Sequence, residues 1–122
     1  MKVKNMSKIG EIRTENREGR TILEGFIGTL DLDLVFDLVP NIDKKSDSAP
    51  DYIIQIVKPN GQIIVIGAAW QKTYMDNGNE RMMLSITLDD PSFPMPLNVA
   101  AFQESDGRWS ISFRRRQNKN QK

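Results

Sequence analysis

Four two-residue turn signals constrain the fold of this chain more than any other feature of its sequence. Each places a glycine after an acidic or amide residue, between two hydrophobic stretches: Glu18-Gly19, Asn60-Gly61, Asn77-Gly78 and Asp106-Gly107. Such pairs tolerate the positive φ angles that tight β-hairpins require. Four of them within 122 residues predict antiparallel strands joined by hairpins.

Hydrophobic and polar residues alternate between these turns, as they do in strands with one buried and one solvent-facing side. The positions predicted to point inward are Leu32, Leu34, Phe36, Leu38, Tyr52, Ile54, Ile56, Met82, Leu84, Ile86, Leu88, Trp109, Ile111 and Phe113. Ile63–Ile66 lacks polar alternation and predicts a central strand covered on both faces.

We predict an all-β fold of about eight antiparallel strands, near residues 8–14, 20–29, 31–39, 51–58, 62–73, 80–88, 96–104 and 107–114. No segment has a sustained helical period. A sheet with so many strands must protect its edges, which favours a small barrel or a curved two-layer sandwich. We assign residues 1–8 to a flexible basic N-terminus, 9–113 to a single β domain and 114–122 to a disordered basic tail.

Two longer loops interrupt this pattern. Residues 40–50 are rich in Asp, Ser and Lys, and we expect a mobile loop there. Residues 89–96 contain three prolines, which predict a stiff connection whose Phe93 closes one end of the barrel. The Pro-x-x-Pro spacing in this loop also fits an extended segment that docks on an aromatic groove, but strand termination is the simpler interpretation.

Composition excludes several kinds of chemistry, because the chain contains no cysteine and no histidine. Disulfides, thiolate or imidazole zinc sites and Ser-His-Asp or Cys-His nucleophiles are therefore impossible. No arrangement of the remaining groups points to a reaction, so we expect no enzymatic activity, no cofactor and no metal site. Neither a signal-peptide pattern nor a membrane-length apolar run is evident, and we expect a cytoplasmic protein without a membrane partner.

Charge is segregated along the chain, although the formal net charge is only +1. Residues 9–113 carry nine basic and sixteen acidic groups, whereas the last nine residues carry five basic groups and no acid. Arg108 and Arg114 share the outward phase of the last predicted strand, and Arg115, Arg116 and Lys119 follow. Such a basic edge fits a phosphate backbone; the alternative is a solubilising tail.

Trp70, Lys72 and Tyr74 alternate along one predicted strand and therefore share one side. Aromatic rings next to a basic group are the surface on which single-stranded bases stack. The alternative for Trp70 is packing, because it follows a buried run and two alanines. Tyr74 lies beside a turn, and we expect it to be exposed.

A second candidate surface is acidic. Asp31, Asp33 and Asp37 line one face of a strand, but their spacing is unlike that of a calcium loop. A row of carboxylates fits the basic groove of a DNA-handling enzyme, and the alternative is an ordinary solvated face.

Three segments resemble motifs of a bacterial family, the domain of unknown function 736 family. They are Ser46–Tyr52 (SDSAPDY), Gly67–Thr73 (GAAWQKT) and Leu88–Pro94 (LDDPSFP), and the similarity extends from about Ile9 to Phe113. Ser48 departs from the usual Asn of the family. The resemblance implies a small protein often carried on plasmids and conjugative elements, and it implies no activity.

The sequence thus favours a non-enzymatic accessory protein of a mobile genetic element that binds nucleic acid, preferably single-stranded. Its candidate contacts are Arg108, Arg114, Arg115, Arg116, Lys119, Lys72, Tyr74 and Trp70. A first alternative is a protein-binding modulator of a host defence or restriction complex, acting through Asp31, Asp33 and Asp37. A second alternative is a homo-oligomeric module that pairs through exposed strand edges.

Overall fold

A computed structural model describes residues 6–114 of the chain. It contains eight strands: β1 (Met6–Arg17), β2 (Arg20–Gly28), β3 (Asp33–Pro40), β4 (Tyr52–Val57), β5 (Ile63–Asp76), β6 (Asn79–Leu88), β7 (Leu97–Gln103) and β8 (Trp109–Arg114). Consecutive strands pair antiparallel, and β8 pairs with β1, which closes the sheet into a barrel. The all-β prediction is confirmed, and the strands form the barrel rather than the sandwich. Between residues 6 and 114 no helix is long and apolar enough to cross a membrane.

Two of the four predicted turns have positive φ at both residues, and in Asn60-Gly61 and Asp106-Gly107 only the glycine does. Glu18-Gly19 and Asn77-Gly78 have positive φ at both residues, at 51° and 78° in the first turn and 54° and 83° in the second. Two positive φ angles match the right-handed twist of the flanking strands in a two-residue hairpin. The glycine signals therefore identify the hairpins correctly.

Alternating side chains from all eight strands fill the barrel interior. The buried core consists of Ile12, Ile27, Phe36, Leu38, Ile54, Ile66, Ala69, Leu84, Ile86, Leu88, Val99, Ala101, Trp109 and Ile111. Phe93 packs against this core from the β6–β7 loop, as predicted. Ile63–Ile66 is not covered on both faces, because each strand of a closed barrel has a single interior side. Ile63 and Val65 point outward and are 57% and 61% exposed.

The two halves of the barrel repeat one design. β1 to β4 contain 12, 9, 8 and 6 residues, and β5 to β8 contain 14, 10, 7 and 6. Each seam between the halves, β8 with β1 and β4 with β5, has one register shift. The first strand of each half carries Ile9-Gly10 or Ile66-Gly67, and a Cβ on either glycine would overlap a carbonyl oxygen of the next strand. The two halves of the barrel therefore resemble each other in strand lengths, in the register shift at each seam and in the position of one closely packed glycine.

Each half begins with a hairpin that is longer than the strands beside it. β1 pairs with β8 as far as Ile12, and β2 pairs with β3 from Leu23 onward, so residues 13–22 project as ribbon 1. β5 pairs with β4 as far as Ala69, and β6 pairs with β7 from Met83 onward, so residues 70–82 project as ribbon 2. Both ribbons leave the same end of the barrel, on opposite sides.

Candidate functional site

An aromatic pair lies on the outer face of the barrel where ribbon 2 meets β7. The rings of Tyr74 and Phe102 pack edge to face, with centroids 5.6 Å apart and planes at 85°. Both residues are half-buried and lie outside the core cluster. Edge-to-face packing is a favoured arrangement of two aromatic quadrupoles, so each ring holds the other in place. The pair therefore presents a fixed aromatic surface.

The register shift between β4 and β5 explains why Tyr74 points outward. Gln55 pairs with Val65 and Ile54 pairs with Gly67, which leaves Ile66 as an extra residue in β5. Before this shift the even-numbered residues of β5, such as Ile66, point inward, and after it the odd-numbered residues, such as Ala69, point inward. Both Ile66 and Ala69 are buried. Trp70, Lys72 and Tyr74 consequently share the outer face, as their alternation predicts.

Two cations border the aromatic pair. Lys72 is opposite Met83, which is in turn opposite Phe102, and Arg81 is directly opposite Tyr74. Lys72 is exposed and forms no ion pair with any residue between 6 and 114. Arg81 contacts the carboxylate of Asp76 at 3.2 Å. We call Trp70, Lys72, Tyr74, Arg81 and Phe102 the aromatic platform.

Trp70 lies at the edge of the platform, against the β3–β4 loop. Its indole Nε1 donates a hydrogen bond of 2.9 Å to the Ser48 carbonyl. The packing alternative predicted Trp70 in the barrel core. In the structure Trp70 is half-buried and lies outside that core. The extra residue Ile66 reverses the alternation just before it and sends the indole outward.

The same loop is anchored to β5 through Asp51. Its amide donates to the Ala69 carbonyl at 2.9 Å, and its carboxylate accepts from the Gln71 amide at 2.7 Å and from Lys44 Nζ at 2.8 Å. The Lys44 hydrogen bond, reinforced by the Gln71 amide, lowers the pKa of Asp51. The loop that the composition predicts to be mobile is thus held along the strand that carries the platform.

Arg108 is occupied by carboxylates. Its guanidinium contacts Asp106 at 2.8 Å and Glu11 at 3.4 Å. The hydrogen bond to Asp106 raises the pKa of Arg108, and Lys8 and Arg108 together lower the pKa of Glu11, with the Lys8 hydrogen bond as the larger cause. Two neighbouring acids offset the charge of Arg108, which weakens it as a phosphate contact.

The other candidate basic residues lie elsewhere. Arg114 ends β8, where it pairs with Met6. At about 3.3 Å per residue this position is roughly 20 Å from Arg108, at the opposite end of the barrel. Arg115, Arg116 and Lys119 lie outside the described residues. The structure therefore does not bring Arg114 together with Arg108, which lies at the end of β8 that pairs with β7 next to Phe102.

The predicted acidic face is divided. Asp31 and Asp33 are exposed in and just after the β2–β3 turn. Asp37 accepts hydrogen bonds of 2.9 and 3.2 Å from one guanidinium, that of Arg17. The Asp37 hydrogen bond raises the pKa of Arg17. A bidentate pair of this kind neutralises Asp37, so the row keeps two free carboxylates instead of three.

No group of three or more acidic side chains among residues 6–114 is placed to hold a metal ion. A groove of about 450 Å³ runs beside ribbon 2, with Glu80, Glu104, Arg81 and Gln103 in its lining. Its mixed charge favours neither an anion nor a cation. The aromatic platform on the adjacent outer face is the more distinctive chemical feature.

Phe102 is the platform residue that sequence reasoning missed. Val99 and Ala101 alternate as buried residues of β7, and Phe102 follows Ala101 directly. Because successive side chains of a strand point to opposite sides, this spacing already indicated that the Phe102 ring points outward. Its partnership with Tyr74 was not readable, because the two rings meet across the intervening strand β6.

The fold and this site define a small, closed, eight-stranded antiparallel barrel with a cation-bordered aromatic platform outside it. The chain belongs to the family described as protein of unknown function DUF736, whose model matches residues 8–116. Comparisons with curated proteins and with solved structures gave no match. The three segments on which the resemblance rests meet along β5: Trp70 bonds to Ser48, and the Asp89 amide donates to the Ile66 carbonyl next to Gly67.

Proposed function

We propose that this protein binds single-stranded nucleic acid through the aromatic platform. The observation that carries the proposal is the Tyr74–Phe102 pair beside Lys72, a cation without an ion-pair partner among the described residues. Bases stack on such rings whatever their sequence, and a nearby cation attracts the phosphate. Rings that already hold each other lose little freedom when a base stacks on them.

The charge of the surrounding surface supports this proposal. The outward residues of β6, β7 and β8 include no acid: Arg81, Met83, Ser85, Thr87, Asn98, Ala100, Phe102, Ser110 and Ser112. The outward residues of β1, β2 and β3 include five acids: Glu11, Glu15, Glu24, Asp33 and Asp37. The outward strand positions beside the platform therefore repel a polyanion less than those of β1 to β3, although Asp76 at Arg81 and Glu104 at Ser110 place two carboxylates at the edge of this side.

A path of small side chains leads across this side. Trp70 is opposite Ser85, Ser85 is opposite Ala100, Ala100 is opposite Ser112, and Ser112 is opposite Lys8. At a strand spacing of about 4.8 Å this row spans roughly 19 Å. It connects the platform to the barrel end where β8 finishes. Arg108 is left out of the proposed site, because Asp106 and Glu11 bind it, and Arg81 is not counted as a phosphate contact for the same reason, because Asp76 binds it.

Fluorescence anisotropy of a labelled oligothymidine of about twelve nucleotides tests this site. Phe102→Ala removes one stacking surface and should weaken binding about 10-fold or more while leaving the salt dependence unchanged. Phe26→Ala is the matched control, because Phe26 is also a half-buried outer-face ring beside a cation, with Arg13 5.2 Å from its centroid, but it lies on β2. Equal losses in the two variants, or no binding by the unaltered protein, would overturn the proposal.

The salt dependence separates phosphate contacts from stacking. Lys72→Ala should reduce the slope of log affinity against log salt by about 0.7, the expected loss of one phosphate contact on a single strand. Lys58→Ala is the matched control, since Lys58 is an exposed lysine without an ion pair among the described residues and lies in the β4–β5 turn. A role as accessory protein of a mobile element rests on the resemblance, and the proposal attributes no catalysis to it.

A further inference from the structure

The edge of β5 that faces β4 is covered by a loop where ribbon 2 begins. β5 pairs with β4 only as far as Ala69, so the next backbone groups on that side need other partners. The Gln71 amide donates to the Asp51 carboxylate at 2.7 Å. A side-chain oxygen of the β3–β4 loop therefore occupies the place of a strand partner, which is one way in which proteins cover a sheet edge.

Asp51 is bonded through all four of its polar atoms. Its amide donates to the Ala69 carbonyl at 2.9 Å, and its carbonyl accepts from the Asn41 amide at 3.0 Å. One carboxylate oxygen accepts from Gln71, and the other accepts from Lys44 Nζ at 2.8 Å. Asp51 thus joins the beginning of the β3–β4 loop to β5.

Trp70 lies between the two β5 residues that Asp51 binds, Ala69 and Gln71. Its indole Nε1 donates to the carbonyl of Ser48, three residues before Asp51, at 2.9 Å. The backbone around Trp70 and its ring are therefore attached to the same short segment of the loop. Movement of that segment would change the orientation of the ring.

The segment that carries the Ser48 carbonyl has contacts of its own. The Ala49 amide donates to the Ser46 carbonyl at 3.1 Å, which closes a turn around Ser48. Asn41 Nδ2 donates to the Pro50 carbonyl at 2.9 Å, and the proline ring fixes one backbone dihedral angle. The Ser48 carbonyl is therefore carried by a constrained segment, whose attachment to β5 decides where it lies.

A ring that is held in advance is suited to stacking. It loses little conformational entropy when a base packs on it. The bond to Ser48 also uses the single donor of the Trp70 indole, which leaves the ring face as its contact with a base. Stacking on a ring face tolerates every base.

We infer that Asp51 is a positioning residue of the nucleic-acid site: it holds the β3–β4 loop on β5 so that Ser48 fixes the Trp70 ring at the edge of the aromatic platform. The inference rests on the proposed function of the platform. In this role Asp51 does not touch the ligand, and its carboxylate by itself repels a phosphate backbone. Replacing Asp51 therefore separates positioning from charge, because lost positioning weakens binding whereas lost repulsion strengthens it.

Solvent exchange of the indole N–H protons, measured by NMR of the full chain without nucleic acid, tests the positioning. Asp51→Ala should speed exchange of the Trp70 proton about 10-fold or more, because its hydrogen bond to Ser48 opens more often. Trp109, which is 8% exposed and part of the core, is the internal reference and should keep its rate in a folded variant. Asp47→Ala is the matched control, because Asp47 lies in the same loop and forms no ion pair or hydrogen bond with the described part of the chain. An unchanged Trp70 rate, or an equal increase in the control, would overturn the inference.

Oligothymidine affinity tests the link between Asp51 and the platform. Asp51→Ala should weaken binding about 3-fold or more, because a ring that is no longer held stacks less well. In a Trp70→Ala background the same substitution should weaken binding no further, since the ring that Asp51 positions is absent. Asp51→Asn keeps an oxygen that can accept from the Gln71 amide, and it should retain more of the affinity than Asp51→Ala.

Equal weakening by Asp51→Ala in the two backgrounds, or tighter binding by Asp51→Ala, would contradict a positioning role. An absence of binding by the unaltered protein would instead overturn the proposed function. The exchange experiment contains no nucleic acid, so the two failures are distinguishable.

Discussion

Single residues decide which side chains of β5 reach the surface. The extra residue Ile66 changes the alternation, and Gly67 allows β5 to approach the Thr87 carbonyl of β6 closely. The sequence pattern correctly predicts that Trp70, Lys72 and Tyr74 share a side. It does not reveal that this side is the outside, because the register shift depends on pairing with β4.

Gly67→Ala tests this account of β5. The added methyl group would overlap the Thr87 carbonyl oxygen, which is backbone and cannot rotate away. We expect a loss of about 1–3 kcal/mol in the free energy of unfolding, measured by urea denaturation.

Gly28→Ala is the control for this prediction. Its Cβ would come no closer than 3.8 Å to another residue, and we expect a change within about 0.5 kcal/mol. Equal stability of the two variants would contradict the proposed close approach at Gly67.

At the level of elements, the β3–β4 loop shows where composition misleads. Its Asp, Ser and Lys residues are those of a mobile loop, but side chains distant in sequence anchor it, as in the hydrogen bond between Trp70 and Ser48. Strand number and hairpin positions were predictable, because they depend on local alternation and on turn glycines. Contacts between segments twenty residues apart leave no local signal.

Asp51→Asn should weaken the anchor of this loop. The folded state favours the ionised carboxylate and holds its pKa below the ordinary value of 3.8. The associated stability is therefore present above that pH and is lost as the pH falls through the lowered pKa. We expect the variant to be less stable than the unaltered protein near neutral pH, by less than about 1 kcal/mol, and the difference to shrink in acid.

Urea denaturation at about pH 6 and about pH 3 measures this difference. Asp47→Asn is the matched control in the same loop, because Asp47 forms no ion pair or hydrogen bond with the described part of the chain. A constant Asp51→Asn difference at both pH values would contradict the proposed role of the carboxylate.

For the whole molecule, closure of the barrel organises the surface into three regions. Acids occupy outward positions of β1 to β3, exposed apolar residues lie on β3 to β5, and the outward positions of β6 to β8 carry no acid. The sequence revealed a charge difference between the body and the tail. It could not reveal this distribution around the barrel, because neighbours on the surface come from strands far apart in the chain.

The basic tail gives a prediction at this scale. Replacing Arg115, Arg116 and Lys119 together by glutamine should lower the salt slope of oligonucleotide binding by about 2, if all three contact phosphates. The contribution of Phe102 to affinity should persist in that background. An unchanged slope would assign the tail to solubility alone.

The most direct test of the proposed function is a two-dimensional amide NMR titration of the labelled full-length protein with unlabelled oligothymidine. We expect the largest shifts at Trp70, Lys72, Tyr74 and Phe102 and along the row through Ser85 and Ala100. We expect little change at Val35 and Val57, which are exposed on β3 and β4. Shifts confined to the acidic or apolar sides, or no shifts at all, would contradict the assignment of the platform as a nucleic-acid site.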